Sequence, residues 1–253
     1  QIAVAASASV PTFFIGLGGL GPEKLDVSVN AQAVYPKSVE AALVLDVTGS
    51  MGGSKIQALR QAAATFVNTL VPPDSVDVNE KVRIAVVPYA SGVNIGSTRA
   101  TKATGGWNAS RSSFTYCVTE RGGAQAYTDD SYTTAVVGPG TVRSGYKRGY
   151  YRSGSTVRSS SGFVCPNSEL VPLTLDPGSA TKSGTPLYTI ANLNASGNTA
   201  GQTGVAWGWY TLSSRWAGLW PSESRPASES DERVLKYMLL MTDGEFNTYF
   251  QPA

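Results

Sequence analysis

Two apolar runs, AALVLD at 41–46 and VLKYMLLMTD at 234–243, each deliver an aspartate into a turn of small residues. The first run shows no alternation, and a strand buried on both faces by helices reads this way, whereas a strand with one wet face alternates. The second reads as another buried strand. In open parallel α/β sheets, ligands sit at the carboxyl ends of strands where adjacent connections diverge to opposite faces. Asp46 and Asp243 are therefore expected on one edge of one sheet, where two carboxylates could share a cation.

The stretches between these runs support such a sheet. Residues 55–70 carry Ile56, Leu59, Ala63, Phe66, Val67 and Leu70 at spacings of three and four, an amphipathic helix that Pro72 and Pro73 end. Residues 82–89, VRIAVVPY, form the next strand, so the order strand, helix, strand is a right-handed crossover. Short helices follow at 187–193 and 204–212, and a polar linker spans 222–232. Residues 25–35 alternate apolar and polar positions, a β-rich lead-in over 1–38 before a main domain at 39–253. Between about 96 and 170, Ser, Thr, Gly, Tyr and Arg replace helical periodicity. This region reads as an insertion of loops and short strands, either a small subdomain or a functional flap.

Composition removes several classes of function. The 253 residues contain no histidine, which excludes Ser-His-Asp catalysis, HExxH metalloproteases and imidazole zinc sites. A net charge of +2 gives no electrostatic case for nucleic acid. Cys117 and Cys165 cannot form a four-cysteine metal site. They read as a disulfide closing the insertion, with two unpaired buried thiols as the alternative, and a bridge would imply an oxidising compartment. The first apolar stretch, 10–20, is broken by Pro11 and three glycines and is too short to span a membrane. Because the chain opens at Gln1, a targeting or anchoring segment is expected upstream.

The chemistry concentrates in DVTGS. Asp46, Thr48 and Ser50 fall at alternate positions, and in a tight turn after a strand they can aim one carboxylate and two hydroxyls at a common point. An all-oxygen set of this kind suits a hard cation, Mg²⁺ first and Mn²⁺ or Ca²⁺ as alternatives, and disfavours soft metals. GSMGGSK lacks the GK[ST] ending of a phosphate-binding loop. An aspartate-nucleophile phosphatase would need a second acid where Thr48 stands.

DVTGSM after a buried strand resembles the metal-ion-dependent adhesion site (MIDAS) of von Willebrand A domains. That pattern combines Asp-x-Ser-x-Ser, a threonine from a second loop and an aspartate from a third. The resemblance implies a Rossmann-like α/β fold and a metal set of Asp46, Thr48, Ser50, Thr199 and Asp243, with Thr203 the alternative for the second loop. VPTFF, LVLDVTGSM, RIAVVPYA, CVTER, CPNSELVPLT, GNT with GVAWGW, and LLMTDGEFNT together are similar to the TadG-type proteins of bacterial tight-adherence pilus systems. These pair a membrane-anchored N-terminus with a von Willebrand A domain. This resemblance implies a C-terminally truncated domain, an extracytoplasmic location, and a pilus or envelope protein as partner. A partner carboxylate would complete the metal shell.

Other features carry less. Trp207 and Trp209 are expected to pack a helix on the sheet, with Trp216 and Trp220 covering the next loop; a carbohydrate platform is the alternative. Tyr146, Tyr150 and Tyr151, interleaved with Arg143, Lys147, Arg148, Arg152 and Arg158, form a basic aromatic stretch that could meet an acidic partner, a glycan or lipid headgroups. Asn108 opens a glycosylation sequon by pattern alone. The expected function is metal-dependent protein binding. A structural envelope component whose metal only stiffens the loops, and a metal-dependent hydrolase with Glu245 as base, are the rivals.

Overall fold

The computed structural model describes residues 2–11, 24–33, 38–71, 82–106, 116–138, 150–153, 156–159, 164–244 and 246–249. The chain divides into two units, Gln1–Lys37 and Ser38–Ala253. The first contains an antiparallel pair, β1 (Ile2–Pro11) and β2 (Lys24–Ala33), in register from Ile2 opposite Ala33 to Pro11 opposite Lys24. The alternation in 25–35 marks β2, and β1 falls within the β-rich lead-in expected over 1–38.

The second unit is a mixed α/β domain with a mostly parallel sheet between helices. Its centre is β3 (Ser38–Asp46), flanked in parallel by β4 (Val82–Tyr89) and β10 (Val234–Met241). Short antiparallel strands extend it beyond β4: β5 (Val93–Asn94), then β6 (Cys117–Val118), while β9 (Val171–Thr174) pairs with β4 lower down.

The apolar run of β3 is explained by two covered faces. Leu43 and Leu45 point into a core with Ile56, Leu59, Ala63 and Val67 of α1 (Ser54–Leu70) and with Ile190 of the short helix Pro186–Ala191. Val44 points the other way, into a core with Trp207 and Tyr210 of the helix Gly201–Leu212. In chain order the helices are α1, α2 (Ser97–Ala103), α3 (Pro186–Ala191) and α4 (Gly201–Leu212). Full burial of Leu43, Leu45 or Val67 contributes roughly 1.5–3 kcal/mol each. Helix α4 lies close on the sheet because Gly204 has no side chain: a Cβ there would come within 2.5 Å of the Tyr89 ring.

Two expectations need correction. Residues 234–241 are not buried on both faces, since β10 has β3 as its pairing partner among the described residues, and Tyr237 and Leu239 are 55% and 37% exposed. Its apolar run is satisfied on the α4 side, where Met238 and Leu240 pack. Trp209 is 42% exposed and does not pack against the sheet; it borders a cleft of about 1030 Å³ shared with Arg121, Tyr127 and Gln202. Trp207 does seal α4 on the core, and Trp216 stacks on Tyr210 at 3.7 Å between ring centroids.

The insertion is closed by a Cys117–Cys165 disulfide spanning 48 residues. It holds α2 and a hairpin, β7 (Tyr150–Ser153) with β8 (Thr156–Ser159), and β7 pairs with β11 (Thr248–Tyr249). This pairing brings the backbone at Tyr150 and Tyr151 alongside the segment that follows Asp243. Pro72, Pro73, Asn108, Arg143, Tyr146, Lys147, Arg148 and Glu245 lie outside the described residues.

Candidate metal centre

Strand β3 ends at Asp46, and its neighbours β4 and β10 end beside it at Tyr89 and just before Thr242. With α1 on one face of β3 and α4 on the other, the carboxyl end of β3 is where connections part, the position at which open α/β sheets hold their ligands.

Asp46 is fully buried and its carboxylate is saturated. Oδ1 accepts from the backbone N–H of Thr48 at 2.9 Å and from its hydroxyl at 2.6 Å, a local Asx-type turn that fixes the start of DVTGS. Oδ2 accepts from the Thr242 hydroxyl at 2.7 Å and the Tyr89 phenol at 3.2 Å. Burial, then the nearby Asp46 charge, push the Tyr89 phenol well above its ordinary value, so it stays a proton donor.

The oxygens continue outward from Asp46. Thr48 Oγ1 lies 3.1 Å from Ser50 Oγ, and Ser50 Oγ donates to Asp243 Oδ1 at 3.0 Å. From the second loop, Thr199 Oγ1 donates to Thr48 Oγ1 at 3.1 Å. All five residues named from sequence thus lie in one run of close oxygen contacts drawn from three loops, with Thr48 and Ser50 each giving its one hydroxyl proton to a carboxylate. Thr203 does not join it; its buried hydroxyl has no hydrogen-bond partner among the described residues.

The loops are tied by backbone as well. Gly49 N–H donates to Gly197 O, and Ser196 N–H to Val47 O, both at 2.8 Å. Gly197 has φ +85°, and a Cβ there would meet Val164 at 2.6 Å, so this turn requires glycine. Asn247 closes the third side: its Oδ1 accepts from Thr199 N–H at 2.9 Å, and its own N–H donates to Thr199 O at 3.0 Å.

Sequence reasoning missed Tyr89, Thr242, Asn247 and Lys55. Lys55 Nζ reaches Asp243 Oδ2 at 2.6 Å, and this contact, more than Ser50 or the local backbone, draws the Asp243 carboxyl below its usual range. Tyr89 could have been found from the register, since it ends the strand beside the one that Asp46 ends. Asn247 and Lys55 had no local signal.

The donor set fits a hard cation. Two carboxylates and three hydroxyls offer only oxygen, the ligand type a hard cation takes, and the Thr48, Ser50 and Asp243 oxygens lie 3.1 and 3.0 Å apart at hydrogen-bonding contact. Among the described residues no group of three Asp, Glu, Cys or His side chains converges, so two carboxylates with hydroxyls are what such an ion would meet.

The fold and site together define an open, mostly parallel α/β domain with an oxygen-lined centre at the carboxyl ends of its middle strands. No family profile and no curated protein matches the chain. Two solved structures share part of it. The vWF domain of the type V pili tip protein Mfa5 from Porphyromonas gingivalis is 27% identical over 24% of this chain and 21% of that one, with a TM-score of 0.21. A structure of three N-terminal domains of the same pilus protein is 23% identical over 36% and 16%, with a TM-score of 0.22. The chain spans about a fifth of the first and about a sixth of the second. The likeness is local, and the case for the site rests on its own geometry.

Proposed function

We propose that this chain is a metal-dependent protein-binding domain of the von Willebrand A type, acting outside the cytoplasm in pilus assembly or surface attachment. The observation that carries the reading is the oxygen chain Asp46, Thr48, Ser50 and Asp243, joined by Thr199 from a separate loop. Asp46, saturated by its four donors, orients Thr48; Ser50 and Asp243 stand toward the opening. Mg²⁺ or Mn²⁺ held there would offer an open position to a partner's carboxylate. The Cys117–Cys165 bridge supports an oxidising compartment. The pilus or envelope setting rests on the sequence motifs alone. No described helix is long and apolar enough to cross a membrane.

Catalysis is disfavoured by the donor set. The saturated Asp46 and the Lys55-paired Asp243 are poor general bases, and the sequence has no histidine. A purely stiffening role for the metal is favoured by one observation: Lys55 already neutralises Asp243. Partner binding that persists in chelator at unchanged affinity would select that role.

Titration calorimetry with Mg²⁺ and Mn²⁺, beside Asp243→Ala, tests the site. Saturable binding is expected, lost in the variant. Asp46→Ala is the poorer probe, because it strands four donors, each buried one at a cost of about 1–3 kcal/mol in stability. Adding acetate to the Mn²⁺-loaded protein should lower the water-proton relaxation rate as a bound water leaves. Absence of metal binding by the intact chain would overturn the proposal.

A further inference from the structure

We infer that Lys55 is the resident counter-cation of this centre: its ammonium holds Asp243 when no divalent ion is bound, and a divalent ion enters by taking Asp243 from it. The inference rests on the metal-binding reading above and adds to it what sets the affinity.

Neither helix energetics nor packing accounts for Lys55 where it stands. It occupies the first turn of α1, where the positive end of the helix dipole disfavours a cation, and that turn has no acidic residue to offset it. Its side chain is 55% exposed, so the stem seals no core. Yet the ammonium reaches across 188 residues of sequence to Asp243 Oδ2, while Ser50 takes Oδ1. Both oxygens of this carboxylate are therefore engaged. The other site carboxylate, Asp46, is engaged by hydroxyls and one amide, and no basic group bonds to it among the described residues.

An ammonium and a divalent ion held on one carboxylate repel each other strongly, even at a surface-like dielectric, because the ion carries two charges. One must yield, and the long exposed stem of Lys55 lets its charge swing into water at little cost. Metal affinity then reports an exchange rather than simple filling of a vacant shell. The released ammonium is left at the rim of the centre.

The test is Mn²⁺ titration, followed by electron paramagnetic resonance of free Mn²⁺, on the full chain and on Lys55→Met and Lys55→Arg. Lys55→Met should bind Mn²⁺ roughly three- to tenfold more tightly, with the gain shrinking in high salt. Lys55→Arg should stay close to the parent chain. In an Asp243→Asn background Lys55→Met should change affinity little, because the contested carboxylate is gone. Thermal melting of each variant checks that the fold is kept, which the exposure of Lys55 favours. Parent-like or weaker binding by Lys55→Met, with clear Mn²⁺ binding by the parent, overturns this inference alone. No saturable binding by either overturns the metal-binding reading and the exchange with it.

Discussion

Asp46 and Tyr89 are register partners on adjacent parallel strands, and the Tyr89 phenol donates to Asp46 Oδ2 at 3.2 Å. The last residue of each strand thus holds the other, and the carboxylate at the centre of the site is aimed by the sheet itself. The same tyrosine ring packs against Gly204 of α4, so strand, site and helix meet at one side chain.

Removing that phenol tests the support. Tyr89→Phe leaves Asp46 with three of its four donors and should lower stability by about 1 kcal/mol, read as a shift in the urea midpoint. An unchanged midpoint would mean the hydrogen bond does not contribute to the fold.

At Gly197 the expected effect is larger. An alanine must adopt φ +85° and push against Val164, so Gly197→Ala should cost about 1–3 kcal/mol. It should also weaken metal binding, because Gly197 O holds Gly49 and the same turn carries Thr199. Calorimetry and melting on one sample would read both.

The opposite end of the sheet carries a charge triad at one register level. Lys236, Glu40 and Arg83 lie side by side on β10, β3 and β4. Glu40 is 1% exposed; it pairs with Arg83, has Lys236 Nζ at 3.5 Å and accepts from Ala227 N–H at 2.9 Å. Glu40 Oε2 has no hydrogen bond, but the Lys236 ammonium faces it closely enough to balance its charge. Glu40→Ala takes the carboxylate from Arg83 and leaves Lys236 with Glu229 at 3.6 Å, and should destabilise the fold by about 3 kcal/mol by urea unfolding.

Asp231 gives a pH signature. Hydrogen bonds from Arg233 hold its carboxyl at about 2, below the 3.8 of an unperturbed group. A carboxyl depressed by folding stabilises the protein fully above its unfolded value, and that contribution is lost as pH falls from about 4 toward 2. Carboxyl resonances should therefore titrate near pH 2 for Asp231 and return toward 3.8 in Arg233→Ala. A midpoint that stays put in the variant would refute the assignment of cause.

Much of the sheet was legible because its signals are local. AALVLD has two covered faces, and 55–70 keeps helical spacing, so β3 and α1 could be read without knowing their neighbours. The exposure of β10 is not legible in the same way: a run of apolar residues does not say how many faces are covered, and Tyr237 and Leu239 remain exposed. Trp209 was misplaced because a short helix holding three aromatics among glycines has no clear polar side to orient it. The site was half legible. DVTGS carries its own geometry through the Asx turn, but Tyr89, Thr242 and Lys55 act from 43, 196 and 188 residues away from the groups they bind. The triad of Lys236, Glu40 and Arg83 did leave a trace, a charge set inside each of three apolar strands. Only the register shows that the three charges are one feature.

The bond between Cys117 and Cys165 has a topological consequence. Every residue between them belongs to a covalently closed ring, so a single protease cut within it yields a nicked molecule and not two pieces. Cys165 is followed closely by Glu169, Leu170 and β9, and it is preceded by Val164, on which the Gly197 turn rests. The ring can therefore be cut while its two anchored ends stay joined beside the Gly197 turn, and Val118, Arg121 and Val137 within it, all buried, keep the nicked segment fastened to the core.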